Sequence, residues 1–425
     1  MSTNESANVK SGYSNFGLWG WAMVIFSLFM YYFWAAWTTD ALNLLPQSFA
    51  RLHGWDAALL LSFSTPAGWL GVIGGFVFGQ VIIKKGVRFV MVLCLLLAGA
   101  VTFWFGQISS VVSYAVAVTL IAFFANGYGQ IATGTLLTTW FPKKKGMALA
   151  WATMGMPLCT ATFVPILAYL FSHYGIPNAM AIMAGVLIVM AIIAFFLIKN
   201  TPEEIGAYPD NEPLSQEELK ANLEEMESYQ SPFTVKALLK DRDMWLISIG
   251  CGMLWLVTVG IVSQLVPRLI SIGYSEATAI AFLSAAAVCA IPGSYLWGWL
   301  DQKIGTRAAI MCYAALYIVT LILLLVQGGS VLTFITIVGV GLGLGGIKNL
   351  ITSMVGTVYG RYDFPAANRL INPIANLVNR CAFAVMALGL AMSGSYAGSY
   401  IAFIVIDIIG LILVSRITPV CKGKI

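Results

Sequence analysis

A chain of 425 residues that is 59% hydrophobic and only 10% charged, with a mean hydropathy of +0.86, is too apolar for a water-soluble protein of this length. The net charge of +5 says little about nucleic acid and matters through where the positive charges sit. The seven cysteines show no CxxC and no metal-ligand spacing, so they read as small apolar residues, and no metal, cofactor or nucleic-acid partner is expected.

Apolar runs long enough to cross a bilayer, about 20 residues each, recur throughout. They fall near 17–38, 57–82, 86–106, 111–138, 144–172, 178–199, 243–270, 275–300, 305–326, 331–358, 364–392 and 396–416. Backbone polar groups in lipid must pair internally, so the spans are helices and the fold class is an all-α membrane protein with twelve transmembrane helices. The stretch Met1–Asn15 is polar, carries one lysine (Lys10) and has no cleavage-site pattern, so no signal peptide is expected. With both termini on one face, that face takes 19 of the 23 Lys and Arg, the opposite face takes Arg51 and Arg268, and the spans hold Lys348 and Arg380. The positive-inside rule then predicts a multi-pass protein of the cytoplasmic (inner) membrane with both termini cytoplasmic.

Span one is aromatic, with Tyr31, Trp34 and Trp37 before Thr38, Thr39 and Asp40. Two readings stand side by side for Tyr31–Trp34: an interfacial belt, or a wall of a substrate cavity. Asp40, nearer the outer end, reads as a wetted rim residue. Gly71, Gly75 and Gly79 form a stripe that lets another helix approach. Span four carries Asn126 and Gln130 one turn apart, and Gly155-Met-Pro157 predicts a kink in span five. Residues 200–242 read as an acidic linker with a solvated charged face, in which Ser215 and Glu218 have capping-box spacing. Span seven offers Trp255, Thr258, Gln264 and Arg268, the last near enough to the outer end to snorkel.

The turn after span two (Gly79, Lys84, Gly86, Arg88) returns after span eight as Gly298, Lys303, Gly305 and Arg307, at a constant offset of 219 residues. Phe141-Pro142 likewise returns as Phe364-Pro365. Duplication of a six-helix unit explains both, giving two pseudo-symmetric six-helix bundles, 1–199 and 243–425, joined by the cytoplasmic linker 200–242.

The run Gly298-Trp-Leu-Asp301-Gln-Lys303-Ile-Gly305-Thr-Arg307 resembles the cytoplasmic loop signature of the major facilitator superfamily, and the resemblance covers essentially the whole chain. It implies a gating loop formed by Gly298, Asp301, Lys303, Gly305 and Arg307. Trp140-Phe-Pro-Lys-Lys-Lys-Gly146, Thr201-Pro-Glu-Glu-Ile-Gly206 with Tyr208-Pro-Asp210, and Ala237–Trp245 are similar to the oxalate/formate-exchanger and monocarboxylate-transporter branch. Ile82 stands where the signature has aspartate, so no charge relay is implied for the first-half loop. The branch's oxalate-binding cations would fall near Ser294 and Asn376, which are neutral, so oxalate specificity does not carry over. Asn126 and Gln130 read either as polar glue between helices or, since the resemblance implies that span four lines the cavity, as substrate or gating contacts.

The polar core lies in spans ten to twelve. Lys348 sits about 15 Å from the inner end of its span at 1.5 Å per residue. Asn372, Asn376, Asn379 and Arg380 share one face of span eleven, where Pro373 frees a further backbone carbonyl. Asp407 lies at comparable depth. In one reading Asp407 pairs with Arg380. In the other, two cations against one carboxylate leave a positive charge for an anionic substrate. The resemblance puts span ten on the cavity and span twelve at the periphery, which favours Lys348, then Arg380, as the anion contacts. The Gly341-x-Gly343-x-x-Gly346 pattern has no strand before it and is read as helix packing.

The expected function is secondary active transport of a small organic anion, first a carboxylate, by exchange or by proton symport through Asp407 or Asp40. Protons or a counter-anion are the coupled partners. A zwitterionic or neutral solute with structural Lys348 and Arg380, or a non-transporting substrate sensor on the same fold, are the alternatives. Two histidines, both in outer loops, and no HExxH or GxSxG argue against an enzyme.

Overall fold

The computed structural model describes residues 14–326 and 329–424, so Lys10 lies outside it. Among the described residues, nine continuous helical stretches are long and apolar enough to cross a membrane. Three of them turn at a glycine of positive φ: Ala57–Phe105 at Gly86 (81°), Lys145–Leu197 at Gly175 (73°) and Ser330–Ser393 at Gly360 (70°). Each of these is therefore a pair of spans. Together with Gly17–Asn43, Val111–Trp140, Arg242–Ser263, Glu276–Ile304, Thr306–Leu325 and Tyr396–Ser415 they make twelve, at the places where hydropathy predicts them.

The turns carry the duplication. Gly54, Gly86 and Gly175 have φ of 74°, 81° and 73°, and return 219 residues later as Gly273, Gly305 and Gly394 at 99°, 86° and 66°. At Gly86 and Gly305 ψ is 167° and 151°, a region that is essentially glycine-only. The glycine stripe of span two brings it against spans four and eleven. A Cβ at Gly71 would sit 2.6 Å from the Asn126 amide, and Gly75 faces Ile131 and Pro373. The glycines of span ten serve helix packing, as expected: a Cβ at Gly341 would sit 2.5 Å from the Ala286 carbonyl of span eight, while Gly343 faces the Tyr317 ring of span nine.

Several spans are interrupted along their length. Span four contains a π-helical stretch, Asn126–Ala132, and span seven another, Leu246–Cys251. Span five breaks at Met154, next to the expected kink. Span ten breaks at Gly345–Gly346 and span eleven at Arg380–Cys381.

The face that carries the basic loops is also where the linker and the C-terminal stretch fold. Ser215 and Glu218 form the expected capping box on helix Gln216–Ser228. The linker's charges are not simply a solvated face, however. Glu203 is 4% exposed and Asp210 is 1% exposed. Asp210 accepts the backbone N–H groups of Lys143 (3.0 Å) and Lys144 (2.7 Å) at the start of span five. Those N–H groups open a helix and have no partner within it, which is why a carboxylate is drawn in. At the other end of the chain Lys422 pairs with both Asp241 and Asp243 at 2.6 Å, and its backbone N–H donates to the Val358 carbonyl at 2.7 Å. Burial alone would raise the pKa of Asp241, but hydrogen bonds from Lys422 and Tyr359 outweigh it and hold the carboxyl below its ordinary 3.8.

Two predictions follow from this geometry. No atom lies within 4 Å of a Cβ built on Gly305, so Gly305→Ala should cost about 1–3 kcal/mol through backbone strain alone. Gly185→Ala, equally unobstructed but without a positive φ, should be neutral or stabilising, and thermal melts in detergent separate the two. A depressed carboxyl contributes stability above its unfolded pKa and loses it as the pH falls through the folded value. The Lys422–Asp241 link should therefore hold at neutral pH and weaken below the ordinary 3.8, read as faster hydrogen exchange over residues 417–424.

Candidate functional site

Lys348 lies on span ten, two residues past the Gly345–Gly346 break, and is 3% exposed. Its ammonium donates to Asn372 Oδ1 at 3.2 Å and sits over two indole rings, Trp255 at 4.3 Å and Trp34 at 5.3 Å. Trp34 comes from the first half and Trp255 from the second, so the lysine stands at the seam between the halves. Among the described residues every ion pair lies near the basic face, and none involves Lys348 or Arg380. Amide oxygen and π-faces are good partners for an ammonium, yet they leave its charge uncompensated.

Around the lysine the amides pair in separate hydrogen bonds. Asn372 donates to Asn368 Oδ1 at 3.0 Å. Asn376 donates to Gln130 Oε1 at 3.3 Å, a bond between the two halves. Trp34 Nε1 donates to Asn126 Oδ1 at 3.3 Å. The π-helical stretch carries both Asn126 and Gln130, and such bulges re-aim side chains at functional sites. Gly129 within it is required by close approach, since a Cβ there would meet the Trp34 indole. Tyr31 is fully buried and its hydroxyl faces Thr352, outside good hydrogen-bond geometry. Tyr31 and Trp34 thus belong to the interior rather than to an interfacial belt.

The structure departs from the sequence reading at the acidic residues. Asp407 does not pair with Arg380. Both of its carboxylate oxygens are buried without a hydrogen-bond partner, on a face of span twelve packed against spans seven and nine. Arg380 instead turns toward span two, where a Cβ on Gly68 would sit 3.1 Å from its Cζ. Asp40 is no wetted rim residue. It is 7% exposed and accepts from Thr160 Oγ1 at 3.3 Å, because the short turn Asp40–Asn43 folds back against span five.

The signature loop divides in two. Gly298 lets span eight close on span five, where a Cβ would sit 2.6 Å from the Gly146 carbonyl. Asp301 is buried, accepts from Thr306 Oγ1 at 2.6 Å, and faces Gly146. Gly305 makes the turn. Lys303 lies exposed over the Trp299 ring at 4.5 Å, and Arg307 makes no ion pair among the described residues. On this basic face the halves are locked together. Arg361 donates to Glu203 Oε2 and to the Thr139 carbonyl, both at 2.7 Å, and Arg369 donates to Gln80 Oε1 at 2.8 Å.

Sequence reading missed Arg361, Glu203, Arg369, Asn349 and Asn368 as interior groups. The two arginines fall within a short basic turn that reads as solvent-facing, and Glu203 falls in a linker. Asn349 and Asn368 are polar residues inside apolar runs, a signal that was legible. Ser294 and Asn376, the neutral residues at the branch's cation positions, have structural partners. Ser294 Oγ donates to the Gly345 carbonyl at 2.9 Å, tying span eight to the break in span ten, and Asn376 bonds Gln130.

A model of the Major Facilitator Superfamily matches residues 20–379. The chain belongs to that superfamily. It is a transporter and not an enzyme. A hexose-6-phosphate:phosphate antiporter of Salmonella typhimurium is 29% identical over 224 residues, 48% of this chain and 47% of that protein. The chain thus aligns with about half the length of this curated relative. Among solved structures, the proton:xylose symporter XylE bound to 6-bromo-6-deoxy-D-glucose has a TM-score of 0.74 at 10% identity, over 94% of this chain and 96% of that one. FucP in the outward conformation has a TM-score of 0.68 at 15% identity, over 93% and 98%. At these identities the likeness shows the superfamily fold.

Removing one partner of a buried ion pair costs about 3–5 kcal/mol, because the other charge is left stranded. Arg361→Ala should therefore lower the melting temperature in detergent sharply, while Arg361→Met combined with Glu203→Leu should recover most of the loss. Equal destabilisation by the single and double changes would remove the stranded charge as the cause.

Proposed function

We propose that this transporter moves a small organic anion, first a carboxylate, across the cytoplasmic membrane by alternating access, with both termini inside. The observation that carries this reading is the Lys348 ammonium, 3% exposed at the seam of the halves, with an amide oxygen and two indoles for partners and no carboxylate. A charge so placed is costly, and an anion lodged against it relieves the cost. Trp34, Trp255, Asn126, Gln130, Asn372 and Asn376 supply apolar faces and neutral hydrogen-bonding groups for the body of the substrate. Arg380, about 12 Å farther along span eleven at 1.5 Å per residue, is a second cation on the same route. The motifs shared with the oxalate/formate-exchanger and monocarboxylate branch support a carboxylate, while the neutral Ser294 and Asn376 argue against oxalate itself. Transport proceeds as exchange or as proton symport, with the locked basic face opening as the outer side closes.

A second reading rests on the amides. Rows of Asn and Gln beside indole faces suit the hydroxyls and apolar faces of sugars, and the structural neighbours XylE and FucP are proton symporters of xylose and fucose. In that reading Lys348 is a structural charge.

Uptake into proteoliposomes tests both. With radiolabelled lactate, gluconate, glucose 6-phosphate, xylose and fucose, an anion should accumulate, and Lys348→Ala should reduce that uptake more than tenfold, as expected when one partner of a buried charged contact is truncated. Protein yield and melting temperature should change little. Uptake confined to a neutral sugar and indifferent to Lys348→Ala would replace the first reading with the second.

A further inference from the structure

Asp407 belongs to none of the contacts described for the substrate site, yet it is 1% exposed and both of its oxygens lack a hydrogen-bond partner. The titratable groups around it are the Tyr313 and Tyr317 phenols of span nine. The cations of neighbouring elements are engaged elsewhere, Arg268 with the Leu324 carbonyl and Lys348 with Asn372 and Trp255. From Asp407 a line of side chains leads toward the substrate site. Tyr313 and Tyr317 stack at 5.0 Å, and Tyr313 Oη and Thr258 Oγ1 share a hydrogen bond of 2.6 Å. Thr258 stands one turn along span seven from Trp255, whose ring covers the Lys348 ammonium.

We infer that Asp407 carries the co-transported proton, and that the Tyr313–Thr258 pair couples its protonation to the occupancy of Lys348. The inference rests on the anion reading of Lys348. A carboxylate with no partner in low dielectric is costly, as is an ammonium without a counter-charge. Two states leave the Lys348–Asp407 pair without a net charge. In one, Lys348 is cationic, Asp407 is ionised and no anion is bound. In the other, the anion neutralises Lys348 and Asp407 holds a proton. The anion and one proton therefore enter together and leave together. The proton is taken from water on one side by the carboxylate and returned to water on the other, with no other bond made or broken. Binding only the anion, or only the proton, leaves one uncompensated charge in the interior.

The experiment uses full-length protein in proteoliposomes containing pyranine, with lactate, gluconate, glucose 6-phosphate, xylose and fucose as probes. An inward proton gradient of one unit corresponds to about tenfold accumulation for one proton per anion. The wild type should reach that accumulation and acidify the lumen as the anion enters. Asp407→Asn should lose both, with accumulation falling to unity, while exchange of internal for external anion continues at a rate within about twofold of wild type. Tyr313→Phe should slow proton-coupled uptake and spare exchange. If Asp407→Asn does not fold, Asp407→Glu decides, because a retained carboxyl should keep the gradient-driven accumulation. Gradient-driven accumulation by Asp407→Asn, or its loss in Asp407→Glu with exchange intact, would overturn the inference. A proton signal that accompanies a neutral sugar and disappears in Asp407→Asn would instead remove the anion reading and keep Asp407 as the proton carrier.

Discussion

An ammonium group in the middle of a membrane protein, with no carboxylate to meet it, constrains much of what surrounds it. Lys348 cannot be left to lipid, so span ten must face the interior. The Asn372 oxygen must be turned toward it, which sets the rotation of span eleven. Two indoles must stand over it, one from each half. The π-helical stretch and the glycine at 129 are then explained as the backbone adjustments that bring Trp34 close enough. In this sense the seam between the halves is organised by one charge, and the amides around it pair in part, leaving Gln130 Nε2, Asn349 Oδ1 and Asn368 Nδ2 buried without a partner among the described residues.

The molecule treats its two faces differently. On the basic face, charged groups have partners: Arg361 with Glu203 of the linker and the Thr139 carbonyl of the first half, Arg369 with Gln80, and Asp210 of the linker with the amides that open span five. In the interior, Lys348, Arg380 and Asp407 have no charged partners among the described residues. Charged groups with good partners hold one arrangement firmly, whereas groups without them favour whatever arrangement supplies a counter-charge. A carrier that must alternate between two shapes needs both: a lock that can be released and an interior whose preferences change with its contents.

Much of the fold was legible because the bilayer imposes a length and a composition on every crossing. All twelve spans were visible as apolar runs, and the duplication was visible in the glycine-bearing turns. Lys348, Asn126, Gln130, Asn372 and Asn376 could be picked out because polar residues are conspicuous within apolar runs. What could not be read was direction. Sequence spacing places Arg380 and Asp407 at similar depth, but depth does not say which neighbour a side chain faces, and here they face different bundles. Asp40 was misjudged for a related reason, since a turn that folds back on span five looks like a loop entering water. Glu203 and Asp210 were hidden because a linker with many charges reads as solvated until its path over the helix ends is known.

The repeat has one more implication. Shifting the first half by 219 residues puts Gly129 on Lys348. At that shared position one half offers a cation and the other offers an empty place that the Trp34 ring fills, so the internal symmetry is broken at its own centre. A guest between the halves finds unlike walls, an ammonium beside an indole on one side and an indole alone on the other. Whichever side it arrived from, it would meet the same unlike walls in the same order, and the carrier could therefore run in either direction without turning its cargo around.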